Sequence, residues 1–182
     1  NFSLGIDSKK LIIEVLVPDF QGKEDLIDKL IESKPHVIAQ NIETVERLTR
    51  RVRDRRAGYE QTMDFLKYVK QKDPTRYTKT SIMLGLGETN EEILQTLKDL
   101  RDVDCDVVTF GQYLQPSKKQ LKVDRFYTPE EFDYWREQAM KMGFLYCASG
   151  PLVRSSYKAA EFFMKGVVER QRQGELTARA DV

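Results

Sequence analysis

The chain has 182 residues, 40% of them hydrophobic and 32% charged, enough to bury one domain's core and stay in solution. Thirty basic against 29 acidic side chains leave a net charge of +1, which gives no general case for a nucleic-acid or membrane partner. Two cysteines, Cys105 and Cys147, and one histidine, His36, argue against a disulfide scaffold and for a reducing compartment, and they exclude a complete zinc or iron–sulfur ligand set.

Residues 1–10 carry little pattern, and no secretory leader is visible. No apolar run approaches the roughly 18 residues that cross a bilayer. The start on Asn1 rather than Met is what a fragment or processed product shows. Residues 11–17, a β-branched apolar run ended by Pro18-Asp19, predict a buried strand. Leu26, Ile27, Leu30 and Ile31 follow helical spacing until Pro35, and Val37-Ile38-Ala39 predicts a second strand. Residues 58–71 read as a helix with Tyr59, Met63, Leu66 and Val69 inward, broken by Asp73-Pro74. Residues 80–84 predict a third strand running into Gly85-Leu86-Gly87-Glu88. Thr89 and Glu92 then form a capping box for a helix striped by Ile93, Leu97 and Leu100. Residues 107–110 predict a fourth strand. After a polar loop at 116–122, Thr128-Pro129 with Glu131 opens another helix, which Gly143 ends. Residues 144–148 predict a fifth strand, 158–172 a last helix, and 173–182 a frayed polar tail. Strands alternating with helices of this length imply an α/β chain with a parallel sheet, whose ligands sit beyond the carboxyl ends of the strands.

The polar clusters fall at those ends. Asn41 and Glu43 suit ribose hydroxyls or an amino-acid group, or equally a solvated helix start. Gly85–Glu88 lacks the third glycine of a dinucleotide turn and the Lys-Ser/Thr of a P-loop. Bare backbone there lets a flat ligand approach closely, or else makes a tight turn with no ligand. Six arginines between Arg47 and Arg56 suit phosphates, RNA or an acidic protein, or form a solvated face partly offset by Glu43, Glu46 and Asp54. No aromatics interleave them, so nucleic acid is not expected. Gly150-Pro151 forces a turn before Arg154-Ser155-Ser156, where two serines ordinarily read as helix caps. Cys147 reads as a small packing residue, and His36 carries no evident chemistry.

Taken together, residues 14–20, 41–45, 79–88, 111–116 and above all 149–159 resemble the lipoyl synthases, a family of radical S-adenosylmethionine (SAM) enzymes, in family order over residues 11–172. The resemblance implies a partial (β/α) barrel of the radical SAM type, with about five of its strands and their helices in this chain. It implies insertion of two sulfurs at C6 and C8 of an octanoyl chain carried on a lysine of a lipoyl-bearing protein. Two [4Fe-4S] clusters are implied, one to cleave SAM and an auxiliary one as sulfur source, together with cluster-delivery proteins as partners. The motif match puts the auxiliary cluster's serine ligand at Ser156, with Arg154 beside it. It puts SAM's ribose or amino-acid portion at Asn41 and Glu43, and its adenosyl end at Gly85, Gly87, Glu88 and Gln112. An alkoxide is a harder ligand than a thiolate and lets iron go more easily, and a nearby guanidinium favours the anion.

Three departures stand out, the first being that residues 1–10 match the family poorly. Gln40 occupies a position that is commonly His in the family, and the cysteine triplets that bind both clusters are absent from these 182 residues, as in a truncated sequence. The wording of residues 52–61 resembles mitochondrial members, implying the matrix as location. The competing readings are a different (β/α)-barrel enzyme of aldolase or phosphate-sugar type using the Gly85–Glu88 loop, and a non-catalytic remnant acting through the arginine run. Lys79 lies at the wrong end of its strand for a Schiff base in the former.

Overall fold

The structure is a computed structural model, and it describes residues 12–154. Five strands pair in chain order, all parallel: β1 (Glu14–Leu16), β2 (Val37–Ala39), β3 (Tyr77–Leu84), β4 (Val107–Gln112) and β5 (Tyr146–Gly150). Between them run α1 (Glu24–Glu32), α2 (Glu46–Val52), α3 (Tyr59–Lys72), α4 (Asn90–Asp102) and α5 (Pro129–Lys141). Parallel neighbours need a crossover, and these helices provide it. A doubly wound sheet reverses its strand order at a switch point, whereas this one advances without reversal, as a barrel wall does. The expected α/β partial barrel is therefore present, with its five strands.

Each strand alternates between a helix-covered face and a concave one. Ile38, Ile82, Leu84, Val108, Phe110 and Cys147 meet the helices, where Ile27, Met63, Leu66, Ile93, Leu97 and Trp135 complete the main core. The concave face carries Val37 and Val107, flanked by Tyr77 and Tyr146. In register above them lie Ser81, Thr109 and Ala148, and then Met83, Gly111 and Gly150. Lys79, 1% exposed, extends its Nζ to the Glu14 carboxylate at 2.8 and 3.0 Å. Its amine is held as an ion-pair partner.

Both capping boxes form as the sequence predicts, at Thr89/Glu92 and at Thr128/Glu131, the latter with Pro129 in the first turn. Several extents differ, β4 running on to Gln112 among them. β1 is shorter than 11–17 because Pro18 lacks an N–H and a 3-10 turn at Phe20–Gly22 follows at once. β3 starts three residues earlier, because the polar residues that disguise its start are satisfied inside. The Thr78 N–H donates to Asp106 at 2.8 Å, and Lys79 finds Glu14. β5 runs two residues later than 144–148: Phe144 is buried beneath the Arg101 guanidinium as an anchor before the strand, while Gly150 pairs with Gly111. Helix α2 lies where only a charge run was read, and it buries just Leu48 and Thr49. Leu11, the predicted helix at 158–172, and residues 1–10 and 173–182 lie outside the described residues.

At the amino end of the sheet, Lys70 and Asp106 form a buried ion pair of 2.7 Å, the two side chains 8% and 0% exposed. Lys70 also donates to the Arg76 carbonyl at 2.7 Å, and Asp106 accepts the Thr78 N–H. One latch thus joins the end of α3, the turn after it, the start of β3 and the start of β4.

Candidate functional site

The carboxyl ends of β2, β3 and β4 gather most of the predicted polar residues on one rim. Glu43 leaves β2 with φ of +67°, a left-handed backbone that disfavours side chains other than Asn, Asp or Gly. It is held there by pairing: its N–H donates to the Ser81 carbonyl at 2.9 Å, and its own carbonyl accepts from the Met83 N–H at 2.8 Å. Asn41 lies beside it, with a side-chain oxygen that is buried and has no partner among the described residues. Gln40 presents a second such oxygen. Buried polar atoms rarely stay unsatisfied unless something else occupies the place.

Arg53 belongs to this group, although sequence reading left it in the arginine run. It follows α2 and turns inward, donating to the Gly58 carbonyl at 3.3 Å and the Thr62 hydroxyl at 2.9 Å. Desolvation lowers its pKa, and the charges of Glu43 and Asp19 oppose that. Its inward turn is fixed by a backbone carbonyl and a hydroxyl five and nine residues on, which the charge run itself does not reveal. A cleft of about 450 Å³ opens here, lined by Asp19, Phe20, Lys23, Gln40, Arg53 and Arg56 among others.

Burial pushes the Glu43 carboxyl above the ordinary glutamate value, while Asn41 and the Arg53 charge pull it partly back. A carboxyl raised in the folded state contributes stability that is fully present below its unfolded pKa, about 4.3, and that is lost as pH rises through the folded value. Glu43→Gln is therefore expected to raise the denaturation midpoint at neutral pH and to flatten its decline from the ordinary glutamate range upward. An unchanged midpoint-versus-pH profile would show that this carboxylate is solvated.

The glycine loop after β3 is built differently from the sequence expectation of bare backbone. Gly85 and Gly87 have φ of +104° and +98°. The Gly85 and Leu86 N–H groups donate to the Glu88 carboxylate at 2.6 and 2.9 Å, so Glu88 is spent on shaping its own loop. The Gln112 amide donates to the carbonyls of Leu84, Tyr113 and Arg125, each at 3.1 Å, and accepts the Tyr127 N–H at 2.9 Å. The room left by the missing Cβ of Gly85 is filled by that amide and the Arg125 carbonyl. What this loop offers a ligand is its fixed shape.

At β4 and β5, a Cβ on Gly111 would overlap the Val153 carbonyl, so glycine lets the Gly150–Val153 turn fold over the strand end. Arg154 emerges from that turn exposed, its guanidinium donating to the Val153 carbonyl at 2.9 Å. Ser155 and Ser156 lie outside the described residues. Thr109, on the concave face below, keeps a buried hydroxyl without a partner among the described residues and was not singled out from sequence.

No group of three His, Cys, Asp or Glu side chains able to hold a metal occurs among the described residues. Burial pushes the Cys105 and Cys147 thiols up to about 12, which keeps them protonated and unsuited to iron. The described residues do not fit an iron–sulfur cluster. They do fit a ligand with hydroxyls, for the Asn41 and Glu43 oxygens, and an anionic group, for Arg53.

The chain is 59% identical over 170 residues to the lipoyl synthase of Myxococcus xanthus, a match covering 93% of this chain and 57% of that protein. It is 56% identical to the mitochondrial lipoyl synthase of Eremothecium gossypii, covering 90% of this chain and 44% of the other. It is 57% identical to the apicoplast lipoyl synthase of Plasmodium vivax, covering 93% and 38%. The chain spans about half the length of the curated relatives it matches. Residues 4–100, more than half of it, match the profile of the Radical SAM superfamily, and with the unreversed parallel sheet and the polar rim at its carboxyl end, the chain belongs to that superfamily.

Proposed function

We propose that the whole protein is a lipoyl synthase, inserting two sulfur atoms at C6 and C8 of a protein-bound octanoyl chain. The observation that carries this reading is the Asn41, Glu43 and Arg53 group beside the closed glycine loop, in a chain 53–59% identical to lipoyl synthases. SAM with its iron–sulfur cluster supplies hydrogen abstraction at unactivated C–H bonds, and a second cluster supplies the sulfur.

The residues of this chain do the holding. The free oxygen of Asn41 and the Glu43 carboxylate would accept hydrogen bonds from the ribose hydroxyls of SAM. Arg53, already desolvated, would donate to its carboxylate end with the N–H groups that Gly58 and Thr62 leave over. Gly85, Gly87, Glu88 and Gln112 set the loop around the adenosyl end, acting through backbone shape. Of the two [4Fe-4S] clusters in this reading, the auxiliary one would be held in part by the Ser156 oxygen. Arg154, two residues earlier in the chain, would favour the ionised hydroxyl. The partners are an octanoylated lipoyl-carrier protein and iron–sulfur delivery proteins. The mitochondrial matrix is the proposed location, supported by the wording of residues 52–61 and by the names of several relatives; the Myxococcus xanthus name carries no such designation.

The test uses the full-length protein with its clusters reconstituted. Wild type is expected to convert an octanoyl-lysyl substrate to a product heavier by two sulfurs. Ser156→Ala is expected to keep 5′-deoxyadenosine formation and lose the sulfur-containing product. Normal product from that variant would remove Ser156 as a ligand. Deoxyadenosine without any sulfur product from wild type would remove the function itself.

A further inference from the structure

Residues 46–56 carry six arginines against Glu46 and Asp54, an excess of four positive charges in a chain whose net charge is +1. The rest of the chain is therefore net acidic, and positive charge is concentrated on α2 and the loop after it. Three of the six are accounted for inside the protein. Arg47 pairs with Glu92 at 2.5 Å, Arg56 pairs with Asp54 at 2.8 Å, and Arg53 turns into the cleft. Arg50, Arg51 and Arg55 remain exposed with no carboxylate partner among the described residues. Arg50 reaches only the carbonyl of Arg55, at 3.1 Å.

A basic residue or two in the last turn of a helix complements its dipole, and Arg50 and Arg51 stand there. Three exposed guanidiniums within six residues, with the Arg50 guanidinium on the Arg55 backbone, exceed that need and leave positive charge that an incoming negative surface would neutralise. Helix α2 starts three residues after Glu43 and runs directly into Arg53, which lines the cleft together with Asp54 and Arg56, so this segment borders the rim. A partner held on it would stand at the mouth of the site.

We propose that Arg50, Arg51 and Arg55 form a docking face for an acidic protein surface, that of the carrier presenting the octanoyl-lysine; the partner's identity rests on the lipoyl-synthase reading. Protein suits the face better than nucleic acid. No aromatic residue lies between positions 46 and 56 to stack a base, and Glu46 and Asp54 interrupt any continuous track for phosphates. Charges of this kind act on encounter and register, and they are screened beyond about 8 Å at physiological salt.

The experiment compares full-length wild type with Arg50→Glu/Arg51→Glu/Arg55→Glu, and with the same three positions changed to Lys. Affinity for the octanoylated carrier is measured directly at low and physiological salt. KM is measured on the carrier and on a short, neutral octanoyl-lysyl peptide. The Glu variant is expected to lose carrier affinity about tenfold or more at low salt, with the gap narrowing as salt rises. Its KM on the neutral peptide should stay at the wild-type value, and the Lys variant should retain most of the carrier affinity. Unchanged carrier affinity in the Glu variant overturns the proposal. So does an equal loss on the peptide, or a loss of RNA binding while carrier binding is untouched. If wild type converts neither substrate, the lipoyl-synthase reading fails, while the affinity series still decides the docking face.

Discussion

Replacing Asp106 with alanine is expected to lower unfolding free energy by about 4 kcal/mol, because removing one member of a buried ion pair strands the other. Lys70 keeps the Arg76 carbonyl but loses its only charge partner among the described residues, and the Thr78 N–H loses its acceptor. For a protein of this length that corresponds to a midpoint lowered by roughly 8–16 °C. The pair as such need not be strongly stabilising, since well-packed apolar replacements of buried pairs are often neutral. Lys70→Met/Asp106→Leu is accordingly expected to lie much closer to wild type than Asp106→Ala alone. Urea denaturation of the three proteins checks this. A single-variant loss below about 1 kcal/mol would mean that water reaches the latch.

Gly85→Ala is expected to cost about 3 kcal/mol, from left-handed strain of ~1–2 kcal/mol and overpacking of ~1–3 kcal/mol. The added methyl would lie 2.5 Å from the Arg125 carbonyl and press on the Gln112 amide. Gln112 ties three carbonyls and the Tyr127 N–H, so the disturbance spreads to the segment that crosses the loop, where the Asp124 N–H donates to the Gly85 carbonyl at 2.8 Å. Gly87→Ala provides the contrast. Its backbone is equally left-handed, but a methyl added there would come no closer than 3.7 Å to its nearest neighbour, the Asp124 carboxyl, leaving only the strain of about 1 kcal/mol. Paired denaturation curves and SAM affinities separate the two effects. Equal losses at the two positions would show that Gln112 and Arg125 do not crowd Gly85.

What could be read from the sequence follows the range of the interactions involved. Capping boxes are local, and Thr89/Glu92 and Thr128/Glu131 form as the spacing requires. The β-branched run of β2 and the striped helices α3 and α4 are likewise encoded in their own residues. The start of β3 is hidden because its polar residues are answered from 28 and 65 positions away, by Asp106 and Glu14. Helix α2 lacks a side-chain cap and a wide apolar face, so its charges masked it. At the rim, residue types pointed to Asn41 and Glu43, and the fold sets both at the carboxyl end of β2. That Glu88 and Gln112 serve the loop's own backbone depends on which N–H groups the fold leaves unpaired, and that is set only by tertiary structure. Arg53 differs from its neighbours in pointing inward, a difference that composition cannot express.

Glu43 has a consequence for anyone seeking a sturdier version of this protein. Its backbone is left-handed and its carboxylate desolvated, so glycine at this position would relieve both burdens and glutamine the second. Selection for thermal tolerance and selection for ligand capture therefore pull this position in opposite directions. A library scored by heat resistance alone is expected to drift away from glutamate at 43, enriching chains that fold better and that, on the proposed ribose-holding role of Glu43, hold SAM worse.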